Sequence, residues 1–313
     1  MRYIKPMRLQ RGDLIGIISP ASSPDDLTRI NSGVKYLEKL GYRVIVGANV
    51  GKCHGYLAGN DDERLEDLHS MFKNKNVKAI LCVRGGYGSP RLLDKIDYKL
   101  IRKNPKIFVG YSDITVLQMA FLQKSNLITF AGPMLAVDFY DEVNPYTEEF
   151  FWRIVTSNKK LGRIKNPNGE RLFHLQKGSA QGQIIGGNLA LLVSLMGTQF
   201  FPDVRNKILL LEDTGEAPYR LDRLLNQLRL ADVFKKVRAV ILGAFTDCKE
   251  LDPSKKTLTL GEVIEDYFTR VDKPVVYNFQ HGHIRENITV PFGIRVKLNA
   301  TKGFLEYLEG AVS

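Results

Sequence analysis

Short apolar runs alternate with amphipathic helical patterns through the first half of the chain. Residues 14–18 (Leu14-Ile15-Gly16-Ile17-Ile18) are apolar on both faces, as a strand covered on two sides requires. The loop from Ser19 to Pro24 interrupts them, and Asp25 and Asp26 open a helical pattern that runs to Leu40. Residues 42–46 give a second strand. Residues 61–74 give a helix with Leu65, Leu68 and Phe72 on its inner face. Strands over 77–83 and 107–109 follow, and a buried helical pattern begins at Ile114. Strand, helix, strand at this spacing predicts an α/β fold with a parallel sheet covered on both faces. In such a sheet, ligands bind beyond the carboxyl ends of the strands. Both Arg84-Gly85-Gly86-Tyr87-Gly88 and Gly110-Tyr111-Ser112 fall at those ends.

The pattern weakens after Pro145. Asn158-Lys159-Lys160 and Asn166-Pro167-Asn168-Gly169 are polar and turn-rich, which predicts a first domain over 1–145, a link over 146–177 and a second domain over 178–313. The second unit opens on Gly182-Gln183-Ile184-Ile185-Gly186-Gly187-Asn188 and a helix to Met196. A strand over 207–211, a helix over 219–230, a strand over 239–245, a helix over 260–268 and a β-rich tail from Val275 complete it. With 313 residues, the chain exceeds the size at which single cores stop growing, which agrees with two domains.

Composition changes this picture little. Hydrophobic content of 44% and charged content of 25% are those of an ordinary soluble protein. The net charge of +11 raises nucleic acid as a partner, but the basic residues are scattered among acids with no run of five like charges. A nucleic-acid protein concentrates them on one stripe or arm, so neither nucleic acid nor membrane is expected as a partner. Cys53, Cys82 and Cys248 are odd in number and widely spaced, against a disulfide framework or a thiolate metal site. Residues 14–18 are too short for the apolar region of a signal peptide, and the expected location is the cytoplasm.

Ser112 is the first candidate for chemistry. A serine where a strand turns into a helix points its oxygen outward, beside the free N–H groups of the first helical turn. Such a serine suits nucleophilic attack on a carbonyl, with those N–H groups stabilising the oxyanion. Equally, Ser112 or Asp113 fits a simple helix cap. A nucleophile needs a base, and His281-Gly282-His283 is the candidate pair at a strand end; His54, His69 and His174 read as solvated positions. The two histidines also fit a polar turn or half a metal site, although no third ligand stands nearby. Glu212, at the end of the apolar run Leu209-Leu210-Leu211, is placed to orient a base, while Asp213 and Glu216 fit the loop and the following helix N-terminus. Gly85-Gly86-Tyr87-Gly88 lacks the dinucleotide spacing, and Gly186-Gly187-Asn188 lacks the phosphate-loop lysine. The glycine turn lets a backbone N–H approach a substrate carbonyl, and with the Asp113 N–H it would form an oxyanion hole.

The ordered blocks resemble those of the LD-carboxypeptidases, a family of serine peptidases. They run from Gly12-Asp13 with Ile17-Ile18-Ser19-Pro20-Ala21-Ser22, through Gly55-Tyr56-Leu57-Ala58-Gly59 and Arg84-Gly85-Gly86-Tyr87-Gly88, to Gly110-Tyr111-Ser112-Asp113 and Gly132-Pro133-Met134. Gly186-Gly187-Asn188-Leu189, Leu211-Glu212-Asp213, Pro218-Tyr219, and Gly282-His283 before Thr289-Val290-Pro291-Phe292-Gly293 continue the match. The resemblance implies a Rossmann-like N-terminal domain, a smaller β-rich C-terminal domain and a homodimer. It implies a Ser112–Glu212–His283 triad, since Gly282-His283 keeps the family's distance to Val290-Pro291-Phe292-Gly293 and His281 does not. By the same resemblance Asp113 and Gly86 supply the oxyanion N–H groups, with Gly85 as a second possibility. Arg84, Gly85, Tyr87 and Asn188 are candidates for contact with a small peptide substrate. No metal or organic cofactor is expected. The implied reaction releases a C-terminal D-amino acid from a murein tetrapeptide. Alternatives on the same fold are a microcin C-type immunity peptidase, which cleaves an aminoacyl-nucleotide amide, and a non-catalytic peptide-binding protein.

Overall fold

The computed structural model describes residues 3–313. Fourteen strands form two sheets among these residues. The first holds β1 (Leu14–Ile18), β2 (Arg43–Val46), β3 (Val77–Cys82), β4 (Ile107–Gly110), β5 (Thr129–Ala131) and β12 (Val290–Phe292). Its order is β12-β5-β4-β3-β1-β2, parallel throughout except for antiparallel β12. The chain leaves β1 for β2 on one side and then returns to β3 on the other. The carboxyl ends of β1 and β3 therefore flank a switch point, where loops part and leave a crevice.

The second sheet holds β6 (Gly162–Ile164), β7 (Phe173–Gln176), β8 (Ser179–Asn188), β9 (Ile208–Thr214), β10 (Ala239–Thr246), β11 (Val275–Tyr277), β13 (Arg295–Asn299) and β14 (Phe304–Tyr307). Its order is β6-β14-β13-β8-β9-β10-β11-β7, with a parallel centre of β8 to β11 and antiparallel strands on both flanks.

Three features differ from the sequence reading. Residues 146–177 are not a bare link: Pro145–Thr156 is a helix, and β6 and β7 are the two edge strands of the second sheet. Strands of three and four residues set among turn formers leave no periodicity to read, yet short strands are what sheet edges tolerate. The second sheet consequently gains two strands that the sequence reading did not give it, for eight in all. Moreover, β12 lies far into the second half but closes the β5 edge of the first sheet, with Val290 opposite Ala131 and Phe292 opposite Thr129.

The buried apolar residues of both halves form one continuous cluster, from Leu9 to Val312. The chain ends join it: the Ser313 N–H donates to the Pro6 carbonyl at 2.8 Å, and the Arg8 N–H donates to the Ser313 carbonyl at 3.1 Å.

Candidate active site

Ser112 sits on a strained corner. β4 ends at Gly110, where a Cβ would come within 2.9 Å of the Ile114 side chain, so only glycine lets the chain turn this tightly. Tyr111 is extended, and Ser112 itself has φ +63°, in the left-handed region that a serine occupies at a cost of roughly 1–3 kcal/mol. Instead of one regular helix, a 3₁₀ turn (Ser112–Ile114) leads into an α-helix (Thr115–Ala120) and a π turn (Phe121–Ser125). Ser112 is thus a corner residue and not a helix cap: Tyr111 holds the cap position, and Ser112 is the first residue of the turn.

The glycine turn after β3 lies against this corner. A Cβ on Gly85 would stand 2.8 Å from the Ser112 Cβ and 3.0 Å from its Oγ. The N–H groups of Gly86 and Asp113 donate to no acceptor among the described residues, as an oxyanion hole requires. The Asp113 carboxylate is buried and turned away; its Oδ2 accepts from the Ser89 N–H at 2.8 Å. Burial pushes its pKa up despite that bond. Asp113 therefore pins the end of the glycine turn to the corner, fixing both N–H groups relative to each other.

Glu212 comes from the second sheet and His283 from the loop that follows its strand β11. β9 runs three residues beyond the expected strand, so Glu212 is 1% exposed inside it, opposite Asn188 of β8. His283 Nδ1 lies 2.8 Å from Glu212 Oε2. That bond assigns the proton to Nδ1 and leaves Nε2 as the basic nitrogen. Two glycines make room for the pair: a Cβ on Gly282, which has φ +130°, would lie 2.8 Å from Glu212 Oε2, and one on Gly243 would lie 2.5 Å from the His281 carbonyl oxygen. Burial pulls the His283 pKa down, but the hydrogen bond and charge of Glu212, with Asp213 and Asp138, outweigh it and raise it. The imidazole packs edge-on against Tyr111, centroids 5.1 Å apart, which brings it beside the residue preceding Ser112. Among the described residues Ser112 and His283 share no hydrogen bond, an arrangement common where substrate completes the alignment.

His281 has a different place. It is 1% exposed, its Nδ1 lies 2.7 Å from the Ile288 carbonyl, and burial lowers its pKa. It holds the loop that carries His283. His283→Ala is therefore expected to remove turnover with little change in melting temperature. His281→Ala should lower the melting temperature by several degrees while keeping measurable turnover. Thermal denaturation and initial rates on the two variants check this split; equal rate losses contradict it.

The remaining candidates divide. Arg84 is half-buried and Tyr87 is exposed, its ring edge-on to that of Tyr56 at 5.3 Å. Asn188 is expected to contact substrate, yet it is 2% exposed and both ends of its amide are engaged: Nδ2 donates to Asp213 Oδ1 at 2.9 Å, and Oδ1 accepts from the Leu191 N–H. Asp213 in turn serves the N-terminus of the helix Leu189–Ser194, accepting from the Ala190 N–H, and not the later helix expected for it. Burial pushes Asp213 up to about 6. The Asn188 N–H donates to Thr115 Oγ1 across the two halves, tying the Glu212 strand to the Ser112 helix.

Sequence reasoning missed Asp138 and Tyr111. Asp138 accepts from the Met134 N–H at 2.8 Å, and burial pushes it up to about 6 despite the nearby His283. Both line a cavity of about 530 Å³ with His283, Asn144 and Arg285. The Gly132-Pro133-Met134 block four residues earlier was the available signal. Among the described residues no group of three or more His, Cys, Asp or Glu side chains is arranged to hold a metal ion, and no helix is long and apolar enough to cross a membrane.

A strained serine, a glycine turn with free N–H groups and a carboxylate-held imidazole can together support nucleophilic acyl transfer. Similarity to known proteins agrees with that chemistry. Residues 15–132 match the LD-carboxypeptidase N-terminal domain and residues 181–298 match the LD-carboxypeptidase C-terminal domain. The chain belongs to the LD-carboxypeptidase family. It is 41% identical over 300 residues to a probable murein peptide carboxypeptidase of Bacillus subtilis, covering 95% of this chain and 92% of that one. It is 30% identical over 316 residues to the microcin C7 self-immunity protein MccF of Escherichia coli, covering 92% and 91%. A solved muramoyltetrapeptide carboxypeptidase from Oxalobacter formigenes superposes with a TM-score of 0.83 at 31% identity, over 95% of this chain and 98% of that one. A solved complex of MccF with glutamyl sulfamoyl guanosine gives 0.87 at 29% identity, over 99% of each chain.

Proposed function

We propose that this protein is a serine carboxypeptidase that hydrolyses an L,D-amide bond and releases the terminal D-amino acid from murein tetrapeptide during cell-wall peptide recycling. The observation that carries the reading is the 2.8 Å Glu212–His283 pair set beside the strained Ser112 corner. His283 Nε2 takes the Ser112 proton as Oγ attacks the carbonyl of the L-configured residue. The Gly86 and Asp113 N–H groups hold the oxyanion, and Glu212 stabilises the imidazolium. His283 then protonates the departing D-amino acid nitrogen. Water, activated by the same imidazole, releases the acyl group from Ser112.

Fold likeness does not choose between murein peptide and aminoacyl-nucleotide, because TM-scores of 0.83 and 0.87 both describe one fold. Sequence identity does favour one: 41% to the murein peptide relative against 30% to the immunity protein. The protein is proposed to act in the cytoplasm as a homodimer, in keeping with the family resemblance and with three cysteines that are all free.

Incubation with L-Ala-γ-D-Glu-L-Lys-D-Ala and its diaminopimelate analogue is expected to release D-Ala, measured by coupled D-amino acid oxidation. No release from either peptide refutes the murein reading.

A further inference from the structure

A carboxypeptidase must read a free terminal carboxylate, and the triad and oxyanion hole contain nothing that does so. The carboxylate of a departing D-amino acid stands only two bonds from the scissile nitrogen. The carboxylate therefore lies roughly 5 Å from the nucleophile, and its reader about one hydrogen-bond length, ~2.8 Å, further on. The guanidiniums around the cleft are nearly all committed. Arg64 pairs with Asp61 at 2.6 Å, Arg91 with the same carboxylate at 2.9 Å, and Arg285 with Glu142 at 3.0 Å.

Arg84 differs from all of these. Among the described residues it has no carboxylate partner, and its one hydrogen bond runs from Nη1 to the Ser23 carbonyl at a long 3.4 Å. It is half-buried, and leaving a partly desolvated charge unpaired is costly unless a ligand completes it. Its position is equally particular. Arg84 follows β3, the strand hydrogen-bonded to β4, so its backbone stands one strand over from the Ser112 corner; a Cβ on the intervening Gly85 would stand 2.8 Å from the Ser112 Cβ. It lines a cavity of about 490 Å³ together with Ser22 and Ser23 from the loop after β1. Those two loops flank the switch point of the first sheet. Asp25, the one acid lining that cavity, is exposed and forms no ion pair with Arg84.

We infer that Arg84 is the specificity residue that binds the C-terminal carboxylate of the substrate, in the crevice between the β1 and β3 loops. The guanidinium fork matches a carboxylate with two parallel N–H···O bonds, which lysine cannot reproduce. The inference rests on the carboxypeptidase reading above and supplies the basis of its exopeptidase character.

The test compares two peptides, L-Ala-γ-D-Glu-L-Lys-D-Ala and the same peptide ending in D-alaninamide, on wild type, Arg84→Gln and Arg84→Lys. Wild type is expected to prefer the free acid strongly. Arg84→Gln should lose about 100-fold in kcat/KM on the acid, mainly through KM, and change little on the amide, so that the preference collapses. Arg84→Lys, which keeps the charge, should retain an intermediate preference and guards against a folding defect in the glutamine variant. An unchanged acid-to-amide ratio in both variants overturns the assignment, as does an equal loss on both peptides. Wild type that cleaves neither peptide removes the carboxypeptidase reading and this inference together, whereas active wild type with an unaltered ratio in the variants removes only the role of Arg84.

Discussion

Ser112→Ala is expected to lower kcat by about 10⁴-fold or more, the scale seen when a triad nucleophile is lost. Circular dichroism and the melting temperature should remain near those of the wild type, because the side chain serves no helix cap. Ser112→Gly should be equally inactive but more stable, by roughly 1 kcal/mol, since glycine occupies φ +63° without a Cβ penalty. Single-turnover kinetics and thermal denaturation check both. Retained turnover in Ser112→Ala rejects the nucleophile, and a glycine variant less stable than alanine rejects the strain. Stability given up at one backbone angle is what aims Oγ at the substrate and away from the helix.

Glu212→Gln is the second large effect. It keeps the volume of a side chain that is 1% exposed but lets the imidazole adopt the wrong tautomer, and kcat should fall by about 10⁴-fold. The pH profile carries a further signature. His283 must be neutral to act as base, so activity is lost as pH falls through its raised pKa. Without the Glu212 charge, burial is the larger influence and the acid limb should move to lower pH. The stability linkage has the opposite sense. A histidine whose folded pKa lies above the unfolded value of about 6.5 adds stability that is full below that value and fades as pH rises through the folded pKa. Glu212→Gln should therefore flatten the decline in melting temperature as pH rises above about 6.5. A wild-type profile already flat there contradicts the raised pKa.

How much of this was legible depended on whether the information is local. The strands of the parallel sheet were readable because burial on both faces leaves uninterrupted apolar runs, as in Leu14–Ile18. The helix Leu260–Phe268 was readable to its ends, since Thr259 and Glu262 form a capping box. The corner at Ser112 was visible as a strand ending in glycine before a helical pattern. Its left-handed angle was not, because the strain is imposed by Gly85 and Ile114 packing around it. Family blocks singled out His283 over His281. The physical distinction lies in partners that are distant in sequence: Glu212 for one and the Ile288 carbonyl for the other. Asn188 was a candidate for substrate contact, but Asp213 of the neighbouring strand claims its amide, and Thr115 claims its N–H once the two halves meet. Strands β6 and β7 stayed hidden because an edge strand of three or four residues has no period of its own.

The strand that crosses from the second half to the first sheet also sets an order of events during synthesis. Residues 290–292 leave the ribosome well after residues 129–131, and until then the β5 edge, with Phe130 and Thr129 upon it, has no strand to cover it. A nascent chain that already contains Ser112 still lacks the closing strand of its own sheet, and with it Glu212 and His283, the proposed orienting carboxylate and base. A product terminated before residue 290 is expected to be inactive and to expose an open, aggregation-prone edge. On the proposed mechanism, the topology thereby withholds activity from Ser112 until β12 has closed the first sheet.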